Sequence, residues 1–170
     1  NIELLEEEWL EKSGYHFYPF INDEYIHKNF DAELIKDAID GNDAVLVKPF
    51  NFKNRYINGK NVDKRENYSF IIGQYVENYD LLMTITKNMY PSYTDDVDFF
   101  QKSNLMYLCN MYIMKRDLFF EYAEFLFSVL EKIHSLVDTT WFTHNGRRYL
   151  GYFGEFLCNI FILHKLRTAK

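Results

Sequence analysis

Cysteine, proline and glycine are all scarce in this chain of 170 residues, with 2 Cys, 3 Pro and 7 Gly. Cys109 and Cys158 both lie in apolar runs, form no Cys-x-x-Cys pair and share no ligand spacing with histidine. Zinc sites and disulfide scaffolds are therefore disfavoured, and we expect buried free thiols in a reducing compartment. The sequence also lacks a Gly-x-Ser-x-Gly elbow, a phosphate-binding glycine loop and a Cys-His pairing signature.

Positive charge is also in deficit, because the formal net charge is −6 at pH 7. Such a field repels phosphate backbones and anionic membranes, so nucleic acid is a disfavoured partner. The chain opens without a signal-peptide pattern, and its most apolar late run, 149–163, is short for a membrane span. We expect a cytoplasmic protein without a transmembrane segment, with peripheral association at the inner face of the membrane left open.

Apolar and aromatic residues are abundant, at 48% and 19% of the chain, including 16 Phe and 14 Tyr. This content is sufficient for a sizeable core, and we expect 1–170 to form a single domain. The excess tyrosine has two interpretations, core mass with polar tips or a ligand-facing surface, of which the first is favoured for any single tyrosine.

Hydrophobic periodicity predicts alternating helices and strands, which indicates an α/β fold. The polar, turn-rich stretch 51–67 is predicted to be a mobile surface loop. We predict helices at 2–12, at 31–41, within 69–88, near 97–101, from 117 and from 149, and strands at 44–47 and 105–114.

The last predicted helix carries Glu155 and Asn159, four residues apart on one face of an otherwise apolar segment. A carboxylate there costs several kcal/mol unless it is paired. Either Glu155 forms a structural salt bridge with Arg147 or Arg148, or it lines a polar pocket in which Gly151 and Gly154 leave room for a ligand.

Asn110 interrupts an apolar strand, so its amide either bonds to neighbouring backbone or faces a ligand at the sheet edge. Asp95, Asp96 and Asp98 follow a turn, and we interpret them as a solvated helix cap. No metal site is predicted, with Asp96, Asp98 and His164 as weak candidates because of their ligand chemistry.

Four blocks of sequence, in this order, resemble a bacterial family of capsular and exopolysaccharide biosynthesis proteins with glycosyltransferase character, whose domain has no assigned function. They cover most of 43–162: DAVLVKPFNF from 43, QYVENYDLLMTITKNMYPSY from 74, CNMYIMKRDLFFEYAEFLFSVLEKI from 109, and RRYLGYFGEFLCNIFI from 147. They are similar to the family's VILPKP-type strand, its helix followed by YPEY, its YNMFIMKK-type strand with the helix after it, and its R-x-x-GY-x-x-E helix.

The resemblance implies a GT-A-like α/β fold, with a partial mixed sheet flanked by helices and a mainly helical C-terminal half. It implies transfer of a sugar from a nucleotide-sugar donor, expected to be a UDP-sugar, to a glycan acceptor, and it leaves a divalent metal requirement open. The resemblance implies catalytic roles for Glu155 and Asn110, and substrate binding by the positive, amide and aromatic side chains Arg147, Arg148, Asn159, Lys48 and Tyr152.

The chain departs from the family pattern in two places. The stretch HFYPF, His16 to Phe20, lacks both arginines of the family's HYRRY-type block. The family also has an upstream nucleotide-binding region, so we expect this chain to correspond to the C-terminal portion of a longer protein. Two hypotheses therefore stand: a glycosyltransferase, or a non-catalytic carbohydrate-binding or interaction module.

Overall fold

The computed structural model describes residues 36, 40–46, 48–71 and 73–169. Backbone contacts divide the chain into the units Asn1–Asn42 and Asp43–Lys170, and the fold below is that of the second unit. The helix predicted at 2–12 and the HFYPF stretch lie outside the described residues. Only the close of the helix predicted at 31–41 falls within them, where the Asp40 N–H donates to the Lys36 carbonyl at 2.9 Å. Gly41 follows with a φ of +74°, as is common at helix ends.

Helices dominate the described part of the chain, and each helix predicted after residue 42 is present. The stretch 69–88 mostly becomes one helix that starts later than predicted, and the helix expected near 97–101 begins three residues earlier. The helices are α1 (Lys64–Ser69), α2 (Val76–Met89), α3 (Thr94–Lys102), α4 (Arg116–His134) and α5 (Tyr149–Thr168). Single 3-10 turns occur at Phe52–Asn54, Pro91–Tyr93 and Gly146–Arg148.

The described strands form three antiparallel two-stranded ladders where the sequence predicts one mixed sheet. The ladders pair β1 (Ala44–Leu46) with β6 (Tyr112–Met114), β2 (Phe50–Asn51) with β5 (Leu105–Met106), and β3 (Tyr56–Ile57) with β4 (Lys60–Asn61). The continuous apolar run at 44–47 predicts an interior strand of the sheet, and this is wrong, because β1 has one partner strand and is only half-buried. A short Val-rich run suits a half-buried strand as well as an interior one, so composition does not separate them. The predicted α/β composition and the mainly helical C-terminal half are confirmed.

The prediction of a mobile loop at 51–67 is wrong, because this stretch is folded. Asn58 and Gly59 have φ values of 49° and 77° and turn the chain between β3 and β4, as expected for a primed hairpin turn. Asp63 and Glu66 then form a reciprocal capping box at the start of α1. The polar composition of the stretch reflects turn and capping chemistry.

The core forms where α4 and α5 pack together with α2 and α3. In α4 the polar positions 121, 124, 128, 131 and 135 recur every three or four residues, which predicts that the apolar remainder packs inward. Burial of Tyr122, Phe125, Val129 and Ile133 confirms this, with the exception that Phe119, Phe120 and Phe127 are exposed. Helix α5 is buried on nearly all sides between Phe153 and Ile162, as its continuous apolar run predicts. Five tyrosines belong to the core, which confirms the core interpretation for them: Tyr68, Tyr79, Tyr93, Tyr122 and Tyr149. In the described part of the chain, no helix is both long enough and apolar enough to cross a bilayer.

Lys64 in α1 is a buried cation with 2% of its surface exposed. Its ammonium group donates to the carbonyls of Ser103, at 2.6 Å, and Leu105, at 3.3 Å. The same group lies 4.2 Å from the centre of the Phe100 ring, close enough for a cation–π attraction. Lys64 therefore fastens α1 to the end of α3 and the start of β5. Burial lowers the pKa of Lys64 from 10.5 to about 8.

This lowered pKa predicts a rise in stability at alkaline pH. Between about 8 and 10.5 the unfolded chain holds a proton on Lys64 that the folded chain has lost, so the free energy of unfolding increases with pH, by at most about 3 kcal/mol. In Lys64→Met this increment should disappear. Urea unfolding from pH 7 to 10.5 measures the free energy of unfolding of the wild type and of Lys64→Met. The tyrosines titrate in both proteins, so their contribution cancels when one curve is subtracted from the other. If the free energy of unfolding rises equally with pH in both proteins, the lowered pKa of Lys64 is not the cause.

Candidate functional site

A turn at Cys109 and Asn110 splits the single strand predicted at 105–114 into β5 and β6. Both residues have positive φ, 69° for Cys109 and 49° for Asn110. This backbone region is unfavourable for side chains other than glycine, although asparagine tolerates it better than most. Cys158 is buried as predicted, but Cys109 is exposed, because the turn carries it out of the apolar run.

Asn159 on α5 holds the chain just before this turn. Its side-chain oxygen accepts the Tyr107 N–H at 2.8 Å, and its amide nitrogen donates to the Tyr107 carbonyl at 2.8 Å. The same nitrogen also donates to the backbone carbonyl of Glu155 at 2.7 Å. Asn159 is 3% exposed, so its amide faces backbone, away from solvent. The structure therefore places Asn159, which the sequence predicts to bind substrate, in the protein interior with its amide bonded to backbone.

Two glycines of α5 face the turn differently. A Cβ placed on Gly154 would lie 3.4 Å from the amide nitrogen of Asn110. Gly154 therefore makes room for the Asn110 side chain, where the sequence predicts room for a ligand. A Cβ placed on Gly151 would meet nothing within 4 Å. The Asn110 amide also makes a long contact of 3.5 Å with the Gly151 carbonyl.

Between the turn and the start of α5 lies a cleft with a volume of about 290 Å³. Its lining brings together four of the residues predicted for the site, together with one glycine: Asn110, Arg148, Gly151, Tyr152 and Glu155. Helical spacing accounts for the α5 side of the lining, because 148, 151, 152 and 155 fall on one face. The structure thus brings Asn110 and the Arg148 and Glu155 side of α5 to one cleft.

Glu155 is the half-buried acid of the cleft. Burial raises the pKa of its carboxyl group, and this effect outweighs the opposing influence of the Cys109 N–H and the Arg148 charge. The predicted salt bridge is not formed, since neither arginine makes an ion pair with Glu155 within the part of the chain that the structure describes. The guanidinium carbon of Arg148 instead lies 5.6 Å from the centre of the Tyr152 ring. A carboxyl group that resists ionisation thus shares the cleft with an Arg cation.

Lys48 and Arg147, also predicted to bind substrate, are exposed and lie outside the lining of the cleft. Arg147 belongs to the 3-10 turn that leads into α5, directly before Arg148. Their contacts with substrate stay predictions.

Two of the weak metal candidates, Asp96 and His164, belong to an ion-pair network at the far end of α5. Asp96 is buried and accepts two bonds of 2.8 Å from Arg167 and one of 2.8 Å from His164. The prediction that Asp96 is a solvated helix cap is therefore wrong. Asp98 forms an ion pair with Lys87. Although burial raises the pKa of Asp96, the bonds from Arg167 and His164 bring it below its usual value. Within residues 36, 40–46, 48–71 and 73–169, no group of three or more His, Cys, Asp or Glu side chains is arranged to hold a metal ion.

The family described as a domain of unknown function, DUF4422, has a model that matches residues 11–166. The chain belongs to this family. No protein with a curated function matches it. The DUF4422 match covers the four blocks of the resemblance seen in the sequence.

A solved structure of WbbM, a bifunctional glycosyltransferase in its apo form, is similar in fold to this DUF4422 chain, with a TM-score of 0.79 and 23% sequence identity. The similarity covers 90% of this chain and 26% of the WbbM chain. This chain thus spans about a quarter of the length of that protein.

We predict that Glu155→Gln does not destabilise the fold at neutral pH. The raised pKa of Glu155 means that the folded chain holds its proton more tightly, so stability is present at low pH and is lost as pH rises through the folded pKa. Glutamine removes that loss, and its unfolding midpoint at pH 7 should equal or exceed that of the wild type. Urea unfolding at pH 4 and pH 7 measures how the free energy of unfolding changes with pH in the wild type and in Glu155→Gln. A marked loss of stability at pH 7 would favour a structural role for the carboxylate.

For Asp96 we predict the opposite behaviour. Asp96→Asn leaves Arg167 facing a neutral partner and should cost about 2 kcal/mol, below the range for fully buried pairs because Arg167 is half-exposed. Asp95→Asn is the matched control, since Asp95 is an exposed neighbour on α3, and should change stability little. Thermal or urea unfolding at pH 7 compares the variants. Equal unfolding midpoints for Asp96→Asn and Asp95→Asn would show that the Asp96 ion pairs do not stabilise the fold.

Proposed function

We propose that this chain is part of a glycosyltransferase of surface polysaccharide biosynthesis that transfers a sugar from a nucleotide-sugar donor to a glycan acceptor. The observation that carries the proposal is the meeting of Asn110, Arg148, Tyr152 and Glu155 in one cleft. The family resemblance and the WbbM-like fold support it. The reaction is proposed to take place in the cytoplasm, at the inner face of the membrane.

The chemistry of the cleft suits a sugar. The Asn110 amide both donates and accepts hydrogen bonds, and the Glu155 carboxyl group accepts them, which matches the dense hydroxyl groups of a sugar ring. The Tyr152 ring offers a flat apolar surface for the C–H face of the ring. A volume of about 290 Å³ is at the lower limit of the range for small-molecule sites, about 300–1,000 Å³. The cleft thus suits one sugar ring, and a whole nucleotide sugar would extend beyond it.

Glu155 is proposed as the general base. The acceptor hydroxyl oxygen attacks the anomeric carbon of the donor, the bond from that carbon to the diphosphate breaks, and the hydroxyl proton passes to Glu155. A carboxyl pKa raised by burial brings the group nearer to the working pH and makes it a better base once ionised. Arg148 supplies positive charge for the departing diphosphate.

The donor is proposed to be a UDP-sugar, with its nucleotide bound outside the cleft. Lys48 and Arg147 are exposed cations that we assign to its phosphates, because such groups bind phosphate through charge and hydrogen bonds. The chain matches only 26% of WbbM, so further parts of the donor site are proposed to lie in other segments of a longer protein.

A non-catalytic carbohydrate-binding module is the second candidate. The loss of both arginines from the HFYPF block favours it. Calorimetric titration separates the two candidates. For the folded longer protein that contains this chain, heat with a glycan acceptor and none with any nucleotide sugar would favour the binding module, whereas heat with a nucleotide sugar favours the transferase.

For the transferase we predict that Glu155→Gln lowers kcat by about 10²–10⁴-fold, the usual contribution of a general base, with little change in KM. The rate of sugar transfer from a UDP-sugar, followed by mass spectrometry of the product glycan, measures the loss. The pH–rate profile of the wild type should rise through the raised pKa of Glu155, and this limb should vanish in the variant.

Glu124→Gln is the matched control, because Glu124 is an exposed acid on α4 and lies outside the cleft. It should leave kcat and the pH profile unchanged. A Glu155→Gln protein that transfers sugar at the wild-type rate would exclude Glu155 as the base.

A further inference from the structure

We propose that Asn159 is a positioning residue of the site: by holding the peptide group of Tyr107, it fixes the Cys109–Asn110 turn against Gly154 and so sets the Asn110 amide at the cleft. This inference concerns the geometry of the cleft and rests on the proposed function only for its catalytic consequence. It replaces the role in direct substrate binding that the family resemblance implies for Asn159.

The contacts of Asn159 are those of a clamp. Its amide meets both backbone groups of Tyr107 at 2.8 Å, in the paired arrangement that two strands use in a ladder. The third bond, to the Glu155 carbonyl at 2.7 Å, fixes the amide on its own helix. Because Asn159 is buried, water does not compete for these bonds.

The clamp matters because the turn needs restraint. Only Leu108 separates Tyr107 from Cys109, which has a φ of 69°, and a non-glycine residue persists in this region only when its surroundings hold it there. On the other side of the turn, Tyr112 is held by its ladder pairing with Leu46. The turn is therefore fixed on both sides, by a side chain of α5 before it and by a strand partner after it.

The same helix carries the other half of the cleft. Gly151, Glu155 and Asn159 are spaced four residues apart on one face of α5. Gly154 lies beside that face, and any side chain there would meet the Asn110 amide, since a Cβ would lie 3.4 Å from its nitrogen. Asn159 therefore sets the separation between the Glu155 carboxyl group and the Asn110 amide, because it ties the strand segment to the helix that bears Glu155.

Cys109 provides a test that needs no substrate. Cys109 is an exposed residue, but partial burial of its thiol and the nearby Glu155 charge raise the pKa of that thiol. If the turn is released, the thiol should move into solvent and away from Glu155. Its pKa should then fall, and its alkylation should proceed at lower pH. Cys158, which is buried, serves as an internal reference.

The experiment measures the pH dependence of iodoacetamide alkylation at Cys109, resolved from Cys158 by peptide mass spectrometry. Asn159→Asp keeps the size and the accepting oxygen but removes both donated bonds. We expect its Cys109 profile to shift to lower pH and its rate at neutral pH to rise several-fold, with Cys158 still protected. Asn159→Ser is the second variant should the aspartate protein fail to fold, and the same shift is expected.

Val129→Ala is the matched control, since Val129 is fully buried on α4 and its loss weakens the core without touching the clamp. Its Cys109 profile should match the wild type under native conditions. A wild-type profile in both Asn159 variants would overturn the proposal, as would an equal shift in Val129→Ala. The two proposals can fail separately. If the Asn159 variants shift the Cys109 profile but the wild-type protein binds no sugar, the positioning role of Asn159 is supported and the proposed function is refuted.

Discussion

Helix α5 is enclosed by protein on nearly all sides between Phe153 and Ile162, and this enclosure constrains the two polar side chains of that stretch, Glu155 and Asn159. A buried polar side chain without a partner costs free energy, so each must find one. Asn159 bonds to the backbone N–H and C=O of Tyr107. Glu155 is different, because it keeps a raised pKa and no ion pair among the described residues. Its carboxyl group accepts the Cys109 N–H, and a raised pKa in a cleft is what the proposed role as a base requires.

The cleft therefore lies between two parts of the chain, helix α5 and the turn at Asn110. The C-terminal helix supplies Glu155, Arg148 and Tyr152, while the turn at Asn110 closes the opposite side. Gly151 leaves the space open and Gly154 admits the Asn110 amide. At the other end of the helix, Arg167 and His164 anchor it to α3 through Asp96, which keeps the frame of the site fixed.

How far the sequence predicts this arrangement depends on the kind of signal. The 3.6-residue periodicity predicts α4 and the burial of α5, and the lone polar residues Asn110 and Glu155 indicate the cleft. Apolar composition does not reveal the positive φ at Cys109, so 105–114 reads as one strand. The hairpin and helix at 51–67 had readable signals in Asn58-Gly59 and in the Asp63-x-x-Glu66 spacing, which polar composition outweighed. The pairing of Asn159 with Tyr107 joins residues 52 positions apart, and only the fold brings them together.

The central claim is that a sugar binds between the Asn110 turn and the Glu155 face of α5. A crystal structure of the protein with a nucleotide sugar and a glycan acceptor tests it most directly. The account predicts a sugar ring in the cleft, with hydroxyl groups within hydrogen-bonding distance of the Asn110 amide and the Glu155 carboxyl group, and the nucleotide extending outside. A sugar bound elsewhere on the chain, with the cleft occupied only by water, would contradict the account.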